Sequence, residues 1–260
     1  MKRWFVLLFG AAVYVMFLGV FLYAIGFIGG FMVPTSLDGP VTSPLPTAIA
    51  INSLLLLGFA AQHSIMARPA FKRWWTKFVP DSIERSIYVL FSNLAMILLF
   101  WQWRPMGGLA WDIQQPFLRA ALWALFGLGW LTVLASTYLI NHFDLFGLRQ
   151  VWLHFRGRPY THLPFAIPGA YKFVRHPLYV GWLLVFWATP SMGLAHLVFA
   201  IGTTVYILIA IRLEERDLVQ FHGESYTAYR RATPMLIPKL RPARVGRSNS
   251  HQLTHSTRNP

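Results

Sequence analysis

The chain has 260 residues, of which 55% are apolar and only 12% charged. A soluble domain of this size carries about 25% charged residues, so the polar surface that keeps a globule in water is missing. Aromatics at 16% exclude a disordered chain. The formal net charge of +14 comes with no cysteine at all, which excludes disulfides, thiolate metal sites and a cysteine nucleophile. An integral membrane protein is the class that remains.

A membrane helix needs about 20 mostly apolar residues. Candidate spans are residues 4–33, 47–66, 86–103 and 117–140. A longer apolar stretch follows over 178–211, broken by Thr189-Pro190-Ser191-Met192-Gly193. That break reads as a tight turn between two antiparallel helices. The arm before it is short, so the expectation is an all-α polytopic bundle of five to six transmembrane helices. The first candidate would be roughly 45 Å long and must tilt, kink or protrude. Gly26 and Gly30 within it have the four-residue spacing that lets helices approach closely.

Basic residues test this arrangement independently. Lys2 and Arg3 precede the first span. Arg68, Lys72, Arg73, Lys77 and Arg85 lie between the second and third, and a further five between the fourth and fifth. Of all 23 Lys and Arg, only Arg104 and Arg119 fall on the other side. The positive-inside rule then places both termini in the cytoplasm. The same partition assigns the basic excess to topology and anionic lipid rather than nucleic acid. Met1-Lys2-Arg3 and the apolar run after it imitate a secretory signal, but the run is about twice the usual length. An uncleaved first helix is expected. Residues 241–260 are rich in Ser, Arg and Asn without apolar periodicity, and read as a disordered tail. Residues 1–240 read as a single domain, helical over 1–140, with ligand-binding residues in 141–240.

Ionisable groups are scarce inside the spans, which argues against an ion pump. His63 is the clear intramembrane exception. Asn52, Asn93, Asn141 and His196 each read as helix-packing hydrogen bonders. Polar density gathers instead at Tyr171 to Gly181, ahead of the short arm, and at Ile211 to Leu218. A hairpin brings these two clusters together. Pro177 suits a first helical turn, whose free N–H groups can receive a ligand carboxylate. Glu214 and Glu215 can take a ligand ammonium and ribose hydroxyls. Tyr171 and Tyr179 can offer π-faces to a cation. Arg175 and Arg212 also suit plain boundary anchors. Gly223 breaks or caps a helix, and Tyr226 and Tyr229 beyond it share one helical face. They fit either an interfacial helix or a lid over an adenine ring.

Arg175-His176-Pro177-x-Tyr179-x-Gly181, then Glu214-Glu215-x-x-Leu218, Gly223-x-x-Tyr226-x-x-Tyr229 and Pro234-x-x-Ile237-Pro238 form an ordered set. This set resembles the C-terminal signature of the isoprenylcysteine carboxyl methyltransferase and phospholipid methyltransferase group. Ala61 to Pro69 and Asn141 to Gln150 are similar to its NnrU-like branch. Within that branch the chain up to about Leu240 resembles the membrane-bound bacterial methanethiol S-methyltransferases. The resemblance implies S-adenosylmethionine as methyl donor, S-adenosylhomocysteine as its product, no metal, and a small volatile thiol as acceptor. It implies a bacterial cytoplasmic membrane location, lipids as neighbours and no obligate protein partner. It places the cofactor on Tyr171, Arg175, His176, Pro177, Tyr179, Gly181, Glu214, Glu215, Tyr226 and Tyr229. A simple alkyl thiol ionises above the cysteine range of about 8.5, so a base or a cation must help it lose its proton. Arg212, His63, His142 and His176 are candidates. Methylation of a lipidic carboxylate or amine, and a non-enzymatic membrane scaffold, remain open at this point.

Overall fold

A computed structural model describes residues 2–240; the tail expected to be disordered lies outside them. Five helices are long and apolar enough to cross a membrane. They are α1 (Arg3–Gly29), α2 (Leu45–Ala67), α4 (Asp81–Gln102), α5 (Pro116–Ile140) and α9 (Leu194–His222), with the short α3 (Pro69–Trp75) between α2 and α4. Between α5 and α9 lie α6 (His142–Leu145), α7 (Leu148–Phe155), a 3-10 turn (Gly169–Lys172) and α8 (Pro177–Trp187). α10 (Glu224–Ala232) follows α9. Two short strands, β1 (Leu109–Asp112) and β2 (Ser191–Gly193), pair antiparallel. The all-α membrane bundle therefore stands, with five long helices. α8 has 11 residues, or roughly 16 Å of rise, and is a half-span.

Leu8, Val15, Leu54, Leu57, Trp101 and Leu131 are exposed along the bundle. Such apolar surface is costly in water and natural in lipid. The core lies inside, with Phe27, Leu99, Phe199 and Ile211 almost fully enclosed.

One end of the bundle is a knot of three connections. β1 leaves α4 and β2 leaves α8, so their pairing ties those two loops together. The segment over 189–193 is thus a strand in a ribbon rather than a simple tight turn. The Trp111 indole donates to the Thr189 carbonyl at 2.9 Å. Asp38, from the third connection, accepts from the Gly193 and His196 amides at 2.7 and 3.1 Å. It caps α9 as a residue just ahead of the helix would. Burial would raise the Asp38 pKa, but the bonds from His196 and Gly193 outweigh it and leave the carboxyl lowered.

Two glycine expectations are redistributed. Gly30 ends α1 in the left-handed conformation, φ 74°, and a Cβ at Gly26 would strike the Phe31 carbonyl at 2.5 Å. That pair serves the turn that stops α1 before Val33, because the chain folds back on its own last turn. The close helix approach is instead between α5 and α8. A Cβ at Gly181 would lie 2.8 Å from the Val133 nitrogen and 2.9 Å from the Gly129 oxygen. Backbones this near need glycine at the crossing.

Candidate active site

The site forms where α8 begins beside the last third of α9. Pro177 occupies the first helical position of α8 and His176 stands just before it outside helical geometry, at φ −125° and ψ 63°. Proline fits there because that N–H would be unpaired anyway. The chain after α10 returns to this point: the Arg175 amide donates to the Pro234 carbonyl at 2.9 Å and the His176 amide to that of Met235 at 3.3 Å.

Two adjacent glutamates on α9 diverge, as residues about 100° apart on a helix must. Glu215 is buried. Its Oε1 accepts from Arg175 Nε at 2.7 Å and lies 3.0 Å from His176 Nε2. The same guanidinium donates to the carbonyls of Arg230 at 2.7 Å and Thr233 at 2.5 Å. Arg175, His176 and Glu215 thereby pin α8, α9 and the chain beyond α10 together. Glu214 points elsewhere. Its Oε2 accepts from the Tyr179 hydroxyl at 3.0 Å, and its Oε1 receives no hydrogen bond from the described residues.

The aromatic residues close the outer side. Tyr226 and Tyr229 are both buried, their rings 5.9 Å apart with Phe165 about equally near each. Tyr229 donates to the Tyr171 carbonyl at 2.7 Å. Burial, and then the charge of Glu214, raises the Tyr171 pKa. Burial likewise raises those of Tyr226 and Tyr229. All three are therefore neutral phenols that can donate. The Tyr226 hydroxyl and the Thr233 hydroxyl are buried with no partner among the described residues, an arrangement that costs about 1–3 kcal/mol per group unless a ligand completes it.

The expected binding residues thus divide by role. Tyr171, Arg175, His176, Pro177, Tyr179, Glu214, Glu215, Tyr226 and Tyr229 converge. Gly181 is turned into the α5 crossing. Arg175 and Glu215 spend their charge on each other.

The expected catalytic residues do not converge. Arg212 is exposed on α9 without a hydrogen bond or ion pair among the described residues. His142 is enclosed by α1 and α5, with Tyr14 at 2.7 Å, Thr137 at 2.8 Å and Tyr138 stacked at 4.3 Å. Both its nitrogens are engaged, and burial lowers its pKa. His63 lies between α2 and α4, 2.9 Å from the Tyr88 hydroxyl and 3.2 Å from that of Ser92. The other polar spans are structural. Asn52 bonds the Arg104 backbone in both directions, and Asn93 donates to the Val13 carbonyl at 3.2 Å. Asn141 Oδ1 accepts from the Asp144 amide, and the His196 ring lies 3.0 Å from the Phe186 carbonyl.

Sequence reasoning missed Thr233, Tyr88, Tyr206 and the Arg68–Asp217 ion pair, whose atoms are 2.6 Å apart. Lone tyrosines in apolar spans read as core, so no local signal marked Tyr88 or Tyr206. Among the described residues no cluster of three His, Asp or Glu could hold a metal.

No family model matches the chain, and no solved structure matches it. Curated relatives do. A methanethiol S-methyltransferase of Mycobacterium tuberculosis is 55% identical over 238 residues, covering 92% of this chain and 98% of that protein. One from Crocosphaera subtropica is 56% identical, with 92% and 93% covered. The mouse protein nurim is 30% identical over 180 residues, covering 66% of this chain and 68% of its own. With relatives this similar over nearly their full length, the chain belongs to the methanethiol S-methyltransferase family.

Proposed function

We propose that this membrane methyltransferase moves the methyl group of S-adenosylmethionine to methanethiol, giving dimethyl sulfide and S-adenosylhomocysteine. The reading rests chiefly on one observation, the near full-length similarity to methanethiol S-methyltransferases. Similarity to bacterial relatives supports a bacterial cytoplasmic membrane, and the charge partition supports both termini and the site on its cytoplasmic side.

The donor set suits S-adenosylmethionine. Glu214 keeps one oxygen for a cationic centre. The Leu178 and Tyr179 amides at the start of α8 have no backbone acceptor among the described residues and suit a carboxylate. The unpartnered hydroxyls of Tyr226 and Thr233 suit the polar edge of a base or sugar. When bound, the cofactor supplies a sulfonium methyl carbon that is already electrophilic. The chain's own residues then orient and exclude water. Arg175, His176 and Glu215 hold the wall in place. Glu214 and Tyr179 bind and orient. Phe165, Tyr226 and Tyr229 keep water out from the outer side.

Headspace gas chromatography of detergent-purified protein with S-adenosylmethionine and methanethiol tests this. The expected result is dimethyl sulfide that requires the cofactor and falls with excess S-adenosylhomocysteine. Cofactor binding without product would redirect the search to lipidic acceptors. A folded protein with neither would remove the enzymatic reading.

A further inference from the structure

We propose that residues 159–168 form a strap that closes over the cofactor site, and that Arg149, held by Asp144, is the positioning residue that clasps it shut. This rests on the methyl-transfer reading above.

The strap crosses the outer side of the site in extended form. Leu163, Phe165 and Ile167 are half-buried, while His162, Pro164 and Ala166 are exposed. That alternation belongs to an extended chain with one face inward. The inward Phe165 ring lies 6.0 Å from Tyr226, 5.9 Å from Tyr229 and 4.9 Å from His222. His162 meets Phe221 at 5.9 Å. Tyr226 is a buried phenol whose hydroxyl has no partner among the described residues. A ligand that reaches it from the outer side must displace either the frame or the strap.

The strap is the part suited to move. The frame is held by the Arg175–Glu215 ion pair and by backbone bonds to Arg175 and His176. Among the described residues, no backbone–backbone hydrogen bond reaches residues 159–167. Pro159, Pro164 and Pro168 have no N–H to make one. Gly157 and Gly169 flank the strap at φ 67° and 49°, left-handed conformations that favour glycine. Segments with so few backbone bonds open at low cost, and a lid turns on a few residues at its ends.

Side chains at the corner of α6 and α7 hold the strap instead. Arg149 donates to the Thr161 carbonyl at 2.8 Å and to its hydroxyl at 3.0 Å. Asp144 holds the same guanidinium at 3.0 Å and accepts from the Tyr160 hydroxyl at 3.3 Å. The Tyr160 ring centre lies 5.2 Å from that guanidinium. Asn141 fixes the Asp144 amide at 3.0 Å, and Gln150 donates to the Asp144 carboxylate at 3.3 Å. The segment from Asn141 to Gln150 thus presents one two-pronged guanidinium to the strap. Such a fork fixes orientation as well as position. Its bonds lie near the surface, where each is weak enough to break and remake.

The test uses detergent-purified full-length protein and S-adenosylhomocysteine as probe. Binding is read by calorimetry, release by loss of tritiated ligand, and strap motion by hydrogen exchange in peptides covering 159–168. Exchange there should slow when wild type binds the probe. Arg149→Met should release the probe about tenfold faster, the scale of lost bonds to a charged group, and should lose most of that slowing. Exchange in α8 and α9 should match wild type. Arg149→Lys keeps the charge without the fork and should restore only part of the effect. Tyr160→Phe combined with Thr161→Val removes two clasp bonds from an exposed segment and should speed release about threefold. That variant reports even if Arg149→Met fails to fold. A wild type that binds the probe with strap exchange unchanged, or variants that release it at the wild-type rate, overturn the strap alone. Raised exchange in α8 and α9 of Arg149→Met would make Arg149 part of the frame and overturn its role as clasp. A folded wild type that does not bind S-adenosylhomocysteine overturns the reading on which the strap rests.

Discussion

The two ends of this bundle treat carboxylates differently, although each leaves a buried hydroxyl, Thr189 at one and Tyr226 at the other, without a partner among the described residues. At the ribbon end, charged groups are consumed by structure. Asp38 caps α9, and Asp112 takes Ser191 at 2.6 Å, Gln114 and Arg119. At the basic end, Arg175, His176 and Glu215 are equally consumed, but beside them, among the described residues, Glu214 keeps an open oxygen and the Tyr226 and Thr233 hydroxyls lack partners. Saturated networks hold elements in place. An open carboxylate oxygen next to a saturated frame suits a ligand that completes the bonding.

Breaking the frame should have the largest effect. Arg175→Ala leaves Glu215 buried without its guanidinium, at a cost of about 3–5 kcal/mol. It should lower the unfolding midpoint in detergent and also abolish S-adenosylhomocysteine binding by calorimetry. Glu214→Gln sharpens the contrast from the other side. It should weaken S-adenosylhomocysteine by about tenfold to a hundredfold, the worth of a charge-assisted contact, while the unfolding midpoint barely moves. Equal losses in both measurements would make Glu214 part of the frame.

At the ribbon end, Asp38→Ala should cost about 1–2 kcal/mol of stability, as a lost helix cap does, with S-adenosylhomocysteine affinity intact. Asp38 also carries a pH signature. Its pKa in the folded protein lies below the unfolded value, so its stabilisation is complete above roughly pH 4 and is lost as pH falls through the folded pKa. Asp38→Asn should flatten that acid limb of the unfolding midpoint. The smallest effect belongs to Trp111→Phe, which removes one bond to Thr189. A loss of about 1 kcal/mol without change in ligand binding is expected.

The long helices were legible because a 20-residue apolar run has few alternatives in a chain with so little charge. The clustering of Arg175 to Tyr179 with Glu214 and Glu215 was legible from the hairpin alone. Their division of labour was not. Glu214 and Glu215 are chemically identical neighbours, and only the packing of α8 against α9 turns one to Arg175 and the other to Tyr179. Gly26, expected at a helix crossing, serves a turn, and Gly181, expected on the cofactor, serves the crossing, for the same reason. A glycine shows that close approach is permitted, not which backbone approaches.

Composition, hydropathy and charge order determine by themselves that this chain lives in a membrane, how its helices are spaced and where its polar residues gather. These are local or summed properties, fixed by transfer free energy residue by residue. Tertiary structure alone decides that the short α8 docks on α5, that loops 38, 109–112 and 191–193 knot together, and that Tyr88 and Tyr206 face a common seam. Those outcomes depend on contacts between residues far apart in the chain, and no window of sequence contains both partners.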